Sequence, residues 1–424
     1  MARTAPVPNF PAIPGMNPGI FVLGGGGDNG GSGAGGGKGN KNKQGANGKN
    51  GGKDANGGGK GAGGGGAGSG AGRCPTHSAK TAAGDPVDVV TGRVFTTPEA
   101  DLYLPGLIPL TFLRSYRSGD DPRDIGMGYG WSHTFAWSIE EHRRSVLVTT
   151  DEATRVLMDR PDVGERSIGR ESWVLRRELG SYELDVGDEP TRVFTPHPSE
   201  EGHFILSAIR DKNGNKIELT YDRGALSSVT DSVGRVIRFR ATHGGRIGAI
   251  EVRNATAQAR WIAFATYSYD DRGDLVCVTD ADGVSIYFAY DGDHLLQSIR
   301  RADGLVFHFV YDAHRRCVET WGDHADPGYL ALASSAPEFL ADGKTKAKGI
   351  LHTKLEFFPD GYTEVVDSVR LRRVQGNEFG SADQHDDGGR LVTWEYDDYG
   401  NPLRHADPTG AVTTWKRDEI GRLL

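Results

Sequence analysis

Residues 269–291 read YDDRGDLVCVTDADGVSIYFAYD, and residues 396–418 read YDDYGNPLRHADPTGAVTTWKRD. Each stretch opens on Tyr-Asp, continues Asp-x-x-Gly, and reaches an equivalent aspartate after 21 residues. Tyr-Asp recurs at Tyr221-Asp222, Tyr269-Asp270, Tyr290-Asp291, Tyr311-Asp312 and Tyr396-Asp397, and the step from Asp397 lands on Asp418. A second marker keeps phase: a glycine stands eight residues before most of these aspartates, at Gly214, Gly283, Gly304, Gly389 and Gly410. Asp270, with Ile262 at that place, is the exception. A third, Asp-x-x-Gly, recurs at Asp270/Gly273, Asp397/Gly400 and Asp418/Gly421. A fixed period of this length is the signature of stacked supersecondary units.

Between the markers the residues alternate as half-buried strands do. Val284, Ile286, Phe288 and Tyr290 share one face, as do Leu305, Phe307, Phe309 and Tyr311. The unit is strand, turn, strand, turn. Asn213-Gly214, Asp282-Gly283 and Asp303-Gly304 are expected to form type I′ turns, since both central residues tolerate positive φ. One hairpin is only marginally stable, so the units must stack to bury their shared face. The repeats run over 204–424, broken at 324–349, where HADPGYLALASSAPEFLADGKTKAKG reads as a loop with one short helix near Pro337–Leu340.

Upstream, 74–203 alternates short apolar runs with turn residues (VDVVTGRVF, DLYLPGLIPLTFLRSY, GYGWSHTFAWSIE) and shows no helical periodicity. Residues 1–73 differ in kind. Between Gly24 and Gly72 stand 26 glycines and six lysines. Glycine loses the most backbone entropy on ordering and buries nothing, so a disordered, weakly cationic leader and linker is expected there. A phosphate-cradling loop would need a strand before these glycines and a helix after them.

A net charge of −8 argues against nucleic acid as a partner. Cys74, Cys277 and Cys317 lie too far apart for a disulfide framework. No run of 18 apolar residues offers a transmembrane helix. Met1–Leu23 holds five prolines and lacks a basic region followed by an apolar core, so it does not read as a secretory signal.

The candidate chemistry is thin. Cys74 and His77 offer two metal ligands where a structural zinc needs four. Asp211-Lys-Asn-Gly-Asn215 begins like a calcium loop, but Lys216 stands where that loop needs glycine and Asp222 where it needs glutamate. Turn aspartates bonding to nearby amides account better for the series. His294, His324 and His385 adjoin aspartates without further pattern, and no Gly-x-Ser-x-Gly precedes a helix. Catalysis needs one site, whereas a recurring residue points to structure. The expectation is no enzyme, with no catalytic, cofactor-binding or metal-binding residue.

The Tyr-Asp/Asp-x-x-Gly unit resembles the YD repeat of Rhs proteins and teneurins. GDPVDVVTGRVFTTPEADLYLPGLIPLTFLRSYRS (84–118) followed by GMGYGWSHTFAW (126–137) is similar to the domain preceding the repeats in bacterial Rhs polymorphic toxins. Arg114, Tyr116, Gly128, Gly130 and Trp131 carry that match. The resemblance implies an all-β chain: an N-terminal plug-like β domain, then a coiled β-sheet array that begins a β-cocoon. It implies a non-catalytic scaffold enclosing and delivering a C-terminal toxin, many relatives travelling on type VI secretion spikes in interbacterial competition. Implied partners are the toxin domain in cis, missing from this chain, and a spike protein. Export would follow a route other than a signal peptide, from the cytoplasm to the outside or the cell surface. Because the sequence stops part-way through a unit at Leu424, a truncated or split product is expected, self-associating through its exposed repeat edge. The alternative is a surface adhesion module binding carbohydrate or protein.

Overall fold

The computed structural model describes residues 82–119, 123–169, 173–253, 260–326, 338–418 and 423–424. The leader, the Cys74/His77 pair, Pro337 and Gly421 lie outside these. Every regular element among the described residues is a strand, from Ala82–Ala83 to Val412–Thr414. The chain is all-β, as its Val, Thr and aromatic alternation requires.

Two small sheets come first. Ala82–Ala83 pairs with Val87–Asp88, and Glu99–Leu104, Leu110–Tyr116 and Trp131–His133 form a three-stranded antiparallel sheet. From Ser138 onward one antiparallel sheet takes in every further strand. It forks at His203–Arg210. One edge of that strand pairs with Thr191–Pro196. Its other edge is shared: His203–Ile205 pair back to Ser138–Glu141, and Ala208–Arg210 pair onward to Lys216–Asp222. The return pairing closes a ring over 138–210. Inside lie Ile139, Val146, Val148, Leu175, Tyr182, Leu184, Phe194 and Leu206, all buried. Each contributes roughly 1.5–3 kcal/mol of transfer free energy before chain entropy is charged. The sheet is continuous through 203/204, and the strands before Ser138 belong to separate sheets.

The wall from Lys216 to Thr414 has two faces, and the segment 82–133 covers one of them. Phe112 meets Phe239 at 5.4 Å between ring centroids, and Trp131 meets Phe288 at 4.8 Å. Val278, Phe288, Phe307 and Phe309 are buried on this face, whereas Tyr287 and Val310 of the same strands are exposed. The apolar alternation was thus a reading of what the N-terminal segment covers.

The interruption leaves one strand, Cys317–His324, and returns to its neighbour, Ile350–Phe357. Its described part, 338–349, packs on the opposite face: Lys348 reaches Glu319 at 2.7 Å and lies over Trp321. Thr320, between those two, faces Gly84 of the N-terminal segment. The expected helix is absent from its described residues. Phe339 bridges Lys346 and the Leu340 amide donates to Thr345 O, so this is a tight β-turned arm. Gly343 supplies the positive φ of its turn, which outweighs a short Ala/Leu-rich window.

The turns also correct an expectation. At Asn213-Gly214, Asp282-Gly283 and Asp303-Gly304 only the glycine has positive φ. The amide of the residue three before the glycine bonds the carbonyl of the residue after it, as in Asp280 N to Val284 O at 3.0 Å. These are three-residue loops closed by a glycine bulge. Paired positive φ, the mark of type I′, occurs instead at Arg223-Gly224 and Gly388-Gly389.

Candidate functional site

The Tyr-Asp unit is a turn and a strut in one. Asp291 Oδ1 accepts the amides of Asp293 and Leu295 at 2.8 and 2.9 Å. Asp270 does the same for Arg272 and Asp274, Asp312 for His314 and Arg316, and Asp397 for Tyr399 and Asn401. Gly273 and Gly400 occupy the positive-φ position of two of these turns. Asp222 departs: it precedes the Arg223-Gly224 turn with its side chain in solvent. Asp418 is half-buried and in contact with the fold.

The same construction recurs at four further aspartates, of which Asp211 was expected from the sequence to be a turn aspartate. Asp211, Asp231, Asp280 and Asp407 each accept the amides two and four residues on. Gly214, Gly234, Gly283 and Gly410 follow them three residues later. The two markers, turn glycine and Asp-x-x-Gly, are one motif, and the 21-residue period is two such turns. Asp-x-x-Gly at 211, 231, 280 and 407 was the available signal. Gly304 fits the geometry with Arg301 in the aspartate's place.

The tyrosines reach back to the preceding hairpin. Tyr290 Oη donates to Leu275 O at 2.8 Å and Tyr311 Oη to Leu296 O at 2.9 Å. Tyr221, Tyr269 and Tyr396 donate likewise to Leu206, Ile247 and Ala382. Burial pushes the Tyr290 phenol well up, so its hydroxyl remains a donor across ordinary pH. Beside Tyr221, Tyr269, Tyr290, Tyr311 and Tyr396 the ladder slips by a bulge. The slip frees backbone groups on the facing strand.

The N-terminal segment takes up those freed amides. Leu296 N donates to Tyr116 Oη at 3.0 Å. Cys317 N donates to Gly92 O at 2.7 Å, and at a further bulge, beside Ala241, Ile247 N donates to Gly126 O at 2.8 Å. At the equivalent place in a later unit stands Pro402, which has no amide to satisfy. Buried backbone donors must be paired, so the wall's bulges and the segment's acceptors fit as one design.

Arg114 anchors the arrangement. Its guanidinium is buried, bonded to Asp101 at 3.1 Å and Glu99 at 2.7 Å, and stacked 4.9 Å over Trp131. Burial opposes its charge, but Asp101 and Glu99 outweigh that and hold it firmly protonated. Asp101 in turn accepts the Tyr267 hydroxyl of the wall at 2.7 Å. Trp131 Nε1 donates to Tyr290 Oη at 2.7 Å. Gly128 and Gly130 have positive φ, and a Cβ there would stand 3.0 Å from Gly273 O or 2.6 Å from the Tyr116 ring. The motif residues of the N-terminal segment thus converge on the motif residues of the repeats. The segment's acceptors, Gly92 and Gly126, carried no sequence signal.

This arrangement fastens and covers; no reaction follows from it. Among the described residues no group of three His, Cys, Asp or Glu is placed to hold a metal. No helix among them is long and apolar enough to cross a membrane. Cys277 and Cys317 are free thiols, and burial pushes Cys317 up to about 12.

Two family models match the chain: a domain of unknown function (DUF6531) over 84–158, and the teneurin YD-shell over 204–327. A probable deoxyribonuclease RhsB of Dickeya dadantii (strain 3937) is 26% identical over 362 residues, covering 82% of this chain and 23% of that protein. A double-stranded DNA deaminase toxin A of Burkholderia cenocepacia (strain H111) is 29% identical over 217 residues, covering 49% and 15%. The chain therefore spans less than a quarter of the length of these relatives. Among solved structures, the Photorhabdus luminescens Tc holotoxin pore aligns with a TM-score of 0.27 at 13% identity, over 80% of this chain and 16% of that one. With the DUF6531 and YD-shell segments joined in one chain and Rhs proteins among its relatives, the chain belongs to the Rhs/YD-repeat family.

Proposed function

We propose that this chain is the plug and first wall of a shell that encloses and delivers a C-terminal toxin, and is itself not a catalyst. The observation that carries the reading is the docking of 82–133 along one face of the repeat sheet through bulge amides and buried tyrosines. A segment held this way closes its side of the wall against solvent. Residues 82–133 act as the plug, and the sheet from Ser138 onward as wall, built by repetition of one turn. Relatives named as a deoxyribonuclease and a deaminase toxin support cargo acting on DNA elsewhere in such proteins, with the shared region as carrier. Passage out of the cell on a secretion spike, for use against other bacteria, belongs to the same reading.

The test is protease protection of the gene product read beyond Leu424. A C-terminal domain that resists protease while joined to the wall, and is digested when expressed alone, supports enclosure. Equal digestion in both settings, or a reading frame with no further domain, would overturn it.

A further inference from the structure

The bulge turns of the wall place one residue at positive φ, and glycine fills that place at Gly273, Gly283, Gly304, Gly400 and Gly410, among others. Between Lys216 and Thr414 two turns break the rule; nearer the start of the sheet Ala153, at φ 56, does so too. His294 sits at φ 64 and Arg315 at φ 62, a conformation that disfavours side chains. Both belong to consecutive Tyr-Asp turns, and both touch the N-terminal segment. The His294 ring lies against Tyr129 with centroids 3.9 Å apart, while its Nδ1 is 2.8 Å from the buried Asp274 carboxylate. Arg315 Nε donates to Gly119 O at 3.3 Å, and its Nη2 donates to Asp293 O in the neighbouring turn at 2.8 Å.

We propose that His294 and Arg315 are a latch: the wall accepts backbone strain at two turns so that their side chains grip Tyr129 and Gly119 of the N-terminal segment and hold it against the wall. Glycine would suit both turns better and could not reach the segment. The two residues are braced from behind, His294 by Asp274 and Arg315 by the Asp293 carbonyl, which fixes their direction toward the segment. The inference concerns plug docking alone and stands whether or not a toxin follows.

The test is hydrogen exchange on the whole chain carrying His294→Gly with Arg315→Gly. The latch predicts that 115–131 exchanges at least tenfold faster while the wall strands over 275–290 keep their protection. Should the double variant fail to fold, His294→Asn alone is used, since asparagine tolerates positive φ but lacks the ring; several-fold faster exchange in 115–131 is then expected. Unchanged exchange in 115–131, or a fall in melting temperature with equal loss of protection in the wall, would overturn the latch.

Discussion

The Trp131 indole donates a 2.7 Å hydrogen bond to the Tyr290 hydroxyl across 159 residues of chain. Tyr290 passes its own proton on to Leu275 O at 2.8 Å, so one hydroxyl serves the N-terminal segment and the preceding hairpin together. Tyr290→Phe leaves a buried donor and a buried acceptor unmatched and should cost about 2 kcal/mol. Tyr290→Ala should cost about 3 kcal/mol through the lost ring as well. Combining Tyr290→Phe with Trp131→Phe should recover about 1 kcal/mol relative to the sum of the singles. Strict additivity in denaturant melts would show that the bond does not couple the two parts.

The turn aspartates make a second, local claim. Asp280 binds two amides of its own turn, at Asp282 and Val284. Asp280→Ala should cost roughly 1 kcal/mol. Asp282→Ala, two residues on at an exposed position with no such role, should cost under about 0.5 kcal/mol. Equal melting temperatures for the two variants would remove the turn explanation of the period.

Much of this was legible in the residues. The 21-residue step, the alternation around Phe288 and Phe307 and the motif at Arg114, Tyr116 and Trp131 are local patterns, and local patterns carry strand and turn. The type I′ expectation failed because dipeptides such as Asp282-Gly283 suit either turn. At Asp211 and Asp280 an aspartate two residues earlier binds the amides of the longer loop, while at Asp303-Gly304 Asp303 itself takes the Leu305 amide. What could not be read is the pairing of distant parts. Gly92 and Gly126 serve through their carbonyls, a group every residue has, and nothing in a neighbouring sequence marks which one meets Cys317 or Ile247. The fork at His203–Arg210 is hidden for the same reason, since register between strands 60 residues apart is a matter of packing.

Acid–base behaviour gives a third prediction. Burial pushes the Asp85 carboxyl up to about 6, with Arg301 pulling it down and Glu99 pushing it further up. A carboxyl raised on folding binds protons more tightly in the native state, so its contribution is fully present below the unfolded value near 3.8 and is lost as pH rises through about 6. Asp85→Asn should therefore stabilise the protein by roughly 1–2 kcal/mol at about pH 8, and by nothing measurable at about pH 4. A variant that stabilises equally at both values would show that the charge is not the cause.

The arm at 338–349 is fastened to the wall by a histidine whose protonation should release it. His352 is buried, and its Nδ1 accepts the Lys348 amide at 3.1 Å, so that nitrogen must carry no proton. Its Nε2 then donates to Glu319 at 2.9 Å, while the Lys348 ammonium holds the other Glu319 oxygen at 2.7 Å. Burial keeps His352 below its ordinary range, Glu319 pulling the other way and Lys348 and Lys354 adding to the depression. For an imidazole depressed on folding, the unfolded arm binds the proton more readily. The fastening is then complete above the unfolded value near 6.5 and weakens as pH falls below it. Lowering pH from about 8 to about 5 should cost the arm roughly 1 kcal/mol of local stability, seen as about fivefold faster exchange of 338–349 after correction for the intrinsic rate. His352→Gln, which offers a donor and an acceptor without titrating, should abolish that pH dependence. An unaltered chain as insensitive to acid as His352→Gln would mean that the Lys348–Glu319 pair holds the arm without the imidazole.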